Sequence, residues 1–335
     1  MKKIVFFIKD FNHDGISNQI EILAKSLIDL YKIEIICLNN NKDIKNKKLE
    51  ITEINVDENI FSKLAPSLVI RKSIDNISGN IFIITDPLFI NYVSKREFSD
   101  TNIIYWMHSL DLDKRILSKI FDYDSIVVPS NFIKEELNSR KVIVIPNAIS
   151  LSNKIKKYNN TMKLLTVCKL TQDKSVSELI RVVKEIVSKG YNVSFNIIGD
   201  GPERNNIMKL IKTENLGNNI NMLGFYNHDD INQELLDADI FLFASNTETF
   251  GISVLEAMSV GLPVVSFDDR AIRELINDDI DGFIIENRSY IDMADKVISL
   301  LEDVNIQENI GSCAIEKSIN YDINVINREW LKILK

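Results

Sequence analysis

Apolar residues fall into short β-branched runs, separated by longer stretches in which they recur every three or four positions. In the first half the runs are Lys3–Ile8, Ile33–Leu38, Ile81–Thr85, Ile103–Met107, Ile126–Val128 and Val142–Ile145. They are nearly continuous, as expected of parallel strands buried on both faces. Between the first two, Ile16, Ile20, Leu23, Ala24, Leu27 and Leu30 lie at helical spacing. The second half repeats the grammar. Lys163–Cys168, Val193–Ile198, Ile240–Phe243, Pro263–Ser266 and Phe283–Ile285 predict strands, and Ser175–Ser188, Pro202–Glu214, Ile252–Ser259 and Tyr290–Leu301 predict helices. Alternating strand and helix implies a doubly wound α/β architecture. The stretch Pro146–Asn160 is rich in Asn, Lys and Ser with few large apolar residues after Leu151, and predicts a linker. Two α/β domains follow, 1–150 and 151–315. If they face each other, a cleft forms at the carboxyl ends of their strands, where open α/β sheets bind ligands.

Composition narrows the class. The 335 residues are 45% hydrophobic and 26% charged, a globular mix with room for two domains. Net charge is -8. Residues 1–148 carry 20 basic and 20 acidic side chains, so the whole excess lies beyond them. That balance argues against a nucleic-acid partner, which favours a basic face. Cys37, Cys168 and Cys313 are odd in number and widely spaced, matching no metal-ligand spacing and no disulfide framework. Buried thiols and a reducing cytoplasm are the expectation. The N-terminal apolar stretch Ile4–Ile8 is shorter than the ~7–15 residues of a signal h-region, and no run approaches the roughly 20 residues of a membrane span.

Six segments carry candidate chemistry. In Ala244–Val265 (ASNTETFGISVLEAMSVGLPVV) a buried strand ends, a polar loop follows, and a helix starts near Gly251. A helix N-terminus presents unpaired N–H groups and a positive dipole end, suited to phosphate. Glu248 lies in that loop and Glu256 in the helix, and ionised carboxylates accept the paired O–H donors of sugars and ribose. In Val167–Ile180 (VCKLTQDKSVSELI), Lys169 and Lys174 flank a strand-to-helix turn. Two such cations either clamp a diphosphate or form a solvated surface. Ile197–Ile211 carries Gly199-Asp-Gly201-Pro202 at the start of a helix, and Met222–Asp230 is a further loop containing Tyr226. His108 stands just past the strand Ile103–Met107, and Gly15 occupies the first strand-to-helix turn.

Together these segments resemble the glycosyl transferases of group 1, the retaining glycosyltransferase family 4 of the GT-B fold. The likeness is dense from about Ile103 to Glu286 and thin from Leu38 to Ile81. Glu248 and Glu256 match the family's E-x7-E signature, and VLEAMSVGLPVV strengthens the match. The resemblance implies two facing Rossmann-like domains with a cleft between them: an acceptor domain at 1–150, a nucleotide-sugar donor domain at 151–315, and a terminal helix within 316–335 crossing back to the first. It implies that Glu248 holds the donor sugar, Glu256 the ribose, and Lys169 and Lys174 the pyrophosphate. Thr249, Phe250, Gly251, Ile252, Gly199 and Gly15 fall at donor-contacting places, Tyr226 beside the base, and His108 near the reacting centre. Two departures stand out. Lys169 replaces the family's arginine, keeping charge but losing bidentate geometry, and Asp14 replaces the first glycine of a pair.

The implied activity is transfer of a sugar from a nucleotide-linked donor, with UDP the expected nucleotide, to a hydroxyl of a glycan or lipid-linked acceptor with retention of configuration. No cofactor and no metal are expected. Asp111-Leu-Asp113 is a metal-binding triplet in a different glycosyltransferase fold, and helix capping explains it equally well here. Two alternatives stay open: a nucleotide-sugar epimerase of the same fold, and a non-catalytic nucleotide-sugar-binding partner subunit. Lys42–Lys48 and Lys63–Lys72 cluster basic residues, the latter among Leu64, Leu68, Val69 and Ile70. Such a segment either touches an anionic membrane peripherally or is a solvated helix. Near the end, Ile323, Ile326, Trp330, Ile333 and Leu334 share one helical face, which predicts a buried Trp330.

Overall fold

The computed structural model describes residues 1–12, 14–41, 48–54, 66–109, 112–152, 154–159 and 161–335. The chain forms two compact units, 1–150 with 323–335, and 151–322. Each is a Rossmann-like α/β domain, the pair of domains that makes up the GT-B fold.

In the first unit the strands are β1 (Lys3–Phe7), β2 (Asp10–Phe11), β3 (Lys32–Cys37), β4 (Asn39–Asn40), β5 (Leu49–Glu53), β6 (Ile81–Ile84), β7 (Asn102–Trp106), β8 (Ser125–Val128) and β9 (Val142–Val144). Seven form one sheet in the order β5-β3-β1-β6-β7-β8-β9, and every pairing is parallel. β2 and β4 pair separately. The central strands are buried along their whole length, which explains the unbroken apolar runs. Helix Gly15–Leu27 covers the sheet with Ile20, Leu23, Ala24 and Leu27. The terminal helix Ile323–Ile333 packs on this same core, where Trp330 is 1% exposed and meets Trp106 edge-on at 4.8 Å between ring centroids. The chain returns to the first unit at Ile323, later than the expected boundary at 316, because helix Val304–Ser318 belongs to the second unit.

The second unit contains β10 (Lys163–Val167), β11 (Ser194–Ile198), β12 (Ile220–Gly224), β13 (Ile240–Phe243), β14 (Val264–Phe267) and β15 (Phe283–Ile285). Their order is β12-β11-β10-β13-β14-β15, again all parallel. The strand order reverses between β10 and β13, so the loops leaving those two strands diverge and open a crevice at the carboxyl edge.

Four strands escaped the hydrophobic pattern: the two-residue pair β2 and β4, and β5 and β12. β5 and β12 are sheet edges with polar or half-exposed positions, so neither gives a continuous apolar run. The expected linker is also not wholly solvated. Lys156 within it is 4% exposed, donates to the Ala238 carbonyl, and pairs with Asp239 at 3.4 Å. Asp239 also accepts from Thr161 and the Lys163 amide, so this carboxylate anchors the joint to the foot of β13. No helix among the described residues is long and apolar enough to cross a membrane.

Candidate active site

The switch point of the second unit brings together the segments from Cys168 to Ser175 and from Ala244 to Gly251. The first is held from beneath by the turn after β11. Cys168 N–H donates to the Ile198 carbonyl, Leu170 N–H to Asp200, and Glu203 N–H to Leu170. The two backbones run so close that a Cβ at Gly199 would lie 1.8 Å from the Cys168 oxygen, and one at Gly201 2.4 Å from the Leu170 oxygen. Gly199 also has φ +134. Its glycine is therefore required by packing against the Lys169 turn.

Beyond Leu170 a single 3-10 turn, Gln172–Lys174, leads through Ser175 (φ +49) into helix Val176–Ser188. The second segment is bolted to this turn. Asn246 N–H donates to the Asp173 carbonyl at 2.7 Å, and its side chain donates to Ser175 Oγ at 2.6 Å. Lys174 Nζ then reaches Glu248 Oε2 at 2.8 Å and Ser245 Oγ at 3.4 Å. Burial works against the Lys174 charge, but Glu248 and Asp173 outweigh it and the ammonium titrates above its ordinary value. Lys169, by contrast, is exposed. Burial pushes the nearby Cys168 thiol up to about 12, so it stays a neutral thiol.

Glu248 is fixed at its backbone by Asp269, just past β14, whose Oδ2 accepts the Glu248 N–H at 3.3 Å while Oδ1 accepts Ala271 N–H at 2.8 Å. Burial raises the Asp269 carboxyl despite those bonds. Thr249 N–H closes onto Glu248 Oε1 at 3.1 Å. Gly251 caps helix Ile252–Ser259 with φ +95, and a Cβ there would lie 2.7 Å from Ile272 Cδ1. Packing and backbone geometry both demand the glycine. Thr249 and Ile252 are half-buried beside it. The Phe250 side chain is 3% exposed and packs edge-on against Tyr321, which leaves its backbone as the part that can face a ligand.

Glu256 lies one turn into that helix with 19% of its side chain exposed, and burial pushes its carboxyl up to about 7. His228 Nδ1 sits 3.7 Å from its Oε1. His228 opens helix His228–Asp237 and follows the loop that carries half-buried Tyr226. The sequence pattern quoted this loop but passed over the histidine, which touches Glu256 from 28 residues away along the chain (228 to 256). Ser245, Asp269 and Arg288 were also missed. Each acts through backbone or packing partners distant in sequence, which no motif spacing reveals.

The first unit carries His108 and Gly15. His108 follows β7 with its ring 4.7 Å from that of Trp106. Burial pushes its imidazole down to about 3, so the ring is neutral at physiological pH. Gly15 is the first residue of helix Gly15–Leu27, and Asp14 Oδ1 caps that helix by accepting Ser17 N–H at 2.8 Å. An aspartate where the family carries glycine is thus a capping residue. Asp113 likewise caps helix Lys114–Ile120. Asp111 lies outside the described residues, as do 42–47 and 63–65 of the basic clusters. In the described part of the second cluster, Leu68 is exposed, but Arg71 is engaged by Asp75 and Glu97. Among the described residues no group of three His, Cys, Asp or Glu side chains could hold a metal ion.

The chain as a whole is similar to known proteins. A family model described as glycosyl transferases group 1 matches residues 148–317, nearly the whole second unit. A poly(ribitol-phosphate) alpha-N-acetylglucosaminyltransferase of Staphylococcus aureus is 29% identical over 203 residues, covering 60% of this chain and 41% of that protein. The chain thus spans less than half of that relative's length. An uncharacterized glycosyltransferase of Haemophilus influenzae is 25% identical over the full length of both chains. Among solved structures, HepE of Anabaena in complex with UDP and glucose superposes with a TM-score of 0.85 at 17% identity, covering 100% of this chain and 99% of that one. At that identity the likeness concerns the fold.

Proposed function

The chain belongs to the glycosyl transferases group 1 family, and from that premise we propose that it transfers a sugar from a UDP-linked donor to a hydroxyl of a glycan or lipid-linked acceptor, with retention of configuration. The observation that carries this reading is the Lys174–Glu248 pair, 2.8 Å apart at the switch point and next to the helix that starts after Gly251. In this reading the donor diphosphate lies between the Lys174 ammonium, the exposed Lys169 and the helix N-terminus. Those three positive features stabilise the charge that develops as the nucleotide leaves, often the largest catalytic contribution. The diphosphate takes over Lys174, and Glu248 is released to accept hydroxyls of the sugar. Glu256 accepts the ribose hydroxyls, and Tyr226 lies beside the base. His108 contributes a neutral imidazole, which can donate or accept a hydrogen bond but brings no charge.

A cytoplasmic protein that meets an anionic membrane face belongs to the same reading, because lipid-linked acceptors sit there. A bacterial surface polysaccharide or glycoconjugate is the product class it suggests.

The test is a transfer assay with a panel of nucleotide-sugars and candidate acceptors, for the wild type, Glu248→Ala and Lys174→Ala. Free UDP together with a glycosylated acceptor is expected from the wild type and is lost in both variants. Transfer by both variants at the wild-type rate refutes the assignment. An isomerised donor would identify an epimerase, and a nucleotide-sugar bound without turnover a binding subunit.

A further inference from the structure

Arg288 joins the two halves of the donor site without belonging to either. It follows β15 in a tight turn where Asn287 and Arg288 both adopt left-handed backbone, φ +53 and +51. Two adjacent side-chain-bearing residues in that region are strained, and they persist only where their surroundings hold them. What holds Arg288 is its guanidinium. Nη2 donates to the Ala244 carbonyl at 2.6 Å and Nη1 to the Ser245 carbonyl at 3.2 Å. Nε donates to Glu178 Oε2 at 3.0 Å. The plane rests over Phe267, 4.8 Å from the ring centroid. Every nitrogen of the fork is used, an arrangement a lysine cannot reproduce.

Its partners define its task. Ala244 and Ser245 are the residues on which the chain leaves β13 toward Glu248, and the Ser245 hydroxyl is within 3.4 Å of Lys174 Nζ. Glu178 stands in the first turn of the helix that begins two residues after Lys174. Arg288 therefore grips the Glu248 segment by its carbonyls and the Lys174 segment by a carboxylate. We propose that Arg288 is a positioning residue of the donor site, setting the register of these two segments so that Lys174 and Glu248 converge on one donor.

This proposal rests on the donor-site reading above, and two measurements separate their fates. The first needs no ligand: hydrogen–deuterium exchange of the full chain, wild type against Arg288→Lys and Arg288→Gln. Faster exchange is expected in both 172–176 and 244–250. Faster exchange confined to the turn around 288, with 172–176 unchanged, overturns the proposal. The second is UDP binding by calorimetry for Arg288→Lys, Lys174→Ala and the double variant. Arg288→Lys is expected to weaken UDP about tenfold, with a melting temperature close to wild type. In the Lys174→Ala background the same change should cost less than twofold, because the cation it positions is gone. Equal losses in the two backgrounds overturn the positioning role. A wild type that binds none of a panel of nucleoside diphosphates sinks the donor-site reading instead, and the exchange result then still decides whether Arg288 couples the segments.

Discussion

Glutamate 256 is the residue whose replacement by glutamine should separate stability from function. Its carboxyl titrates at about 7 where an ordinary glutamate titrates at 4.5, because burial disfavours the charge. The folded state therefore binds this proton more tightly than the unfolded chain. Below pH 4.5 the group is neutral in both states and costs nothing. As the pH climbs from 4.5 through 7 the unfolded state alone gains from ionisation, and stability falls; above 7 the loss is constant. At about 1.4 kcal/mol per pKa unit the full loss is roughly 3 kcal/mol by pH 8, and about 1.4 kcal/mol at pH 5.5. The 19% of the side chain still open to water screens the charge, so the loss at pH 8 is set at about 2–3 kcal/mol. Glu256→Gln removes it. In a unit of this size that raises the melting temperature by roughly 5–10 °C at pH 8 and by about half as much at pH 5.5. The same variant should bind UDP at least tenfold more weakly, since a neutral amide replaces the acceptor proposed for the ribose. Differential scanning calorimetry at both pH values and UDP titration at pH 8 read both effects. Equal melting temperatures for variant and wild type at pH 8 refute the buried carboxyl, and unchanged UDP affinity refutes its contact with the nucleotide.

Three further changes test the frame around the site. Gly251→Ala places a Cβ 2.7 Å from Ile272 in a backbone with φ +95; it should cost at least about 2 kcal/mol, from the left-handed strain and the displaced core together, and weaken UDP binding. A variant as stable as wild type by thermal melting would show that the turn relaxes freely. Asp239→Ala leaves buried Lys156 without its carboxylate and the amides of Thr161 and Lys163 without an acceptor; a loss of about 3–5 kcal/mol is expected. Burial already lowers the Lys156 pKa against the pull of Asp239, so a small loss in urea unfolding would mean that Lys156 sheds its proton instead. Trp330→Ala empties a site 1% exposed in the first unit and should cost about 3–5 kcal/mol. Because that helix packs on the first unit's core, calorimetry should show one melting transition moving while UDP affinity at low temperature holds.

Legibility followed burial. Strands buried on both faces announced themselves as apolar runs, and β13 and β15 were read to the residue. The edges β5 and β12 give no such run because only the first of five positions in each is buried. In the site, a loop between a buried strand and an amphipathic helix is a strong local signal, so Glu248, Gly251 and Lys174 could be picked out from the sequence. What could not be read was which atoms of those residues are free. Phe250 looked like part of the loop's working surface, yet its ring is anchored on Tyr321, 71 positions away (250 to 321). Gly199 stands out in the sequence as a turn glycine, but the Cys168 carbonyl that a Cβ there would strike does not. Both constraints come from contacts between distant segments, which periodicity does not encode.

The strain in the second unit also locates the site. Among the described residues seven non-glycine positions have positive φ, and three of them, Ser175, Asn287 and Arg288, border the segments that carry Lys174 and Glu248. Gly251 adds a fourth left-handed residue at the same edge. Nearby stand a carboxyl raised by burial at Glu256 and a half-buried ammonium held charged by Glu248. The left-handed non-glycine residues and the buried Glu256 carboxyl each cost the free fold stability, and such departures persist where binding gives them a use. The corresponding loops of the first unit are built differently. Asp14 and Asp113 cap helices, and His108 is neutral and packed on Trp106. A phosphate-bearing ligand has a prepared cationic edge in the second unit. If the first unit takes the acceptor, as the family resemblance implies, substitutions in residues 1–150 away from Gly15 and His108 should change acceptor preference in the transfer assay and leave UDP affinity intact; a matching loss of UDP affinity would refute that division.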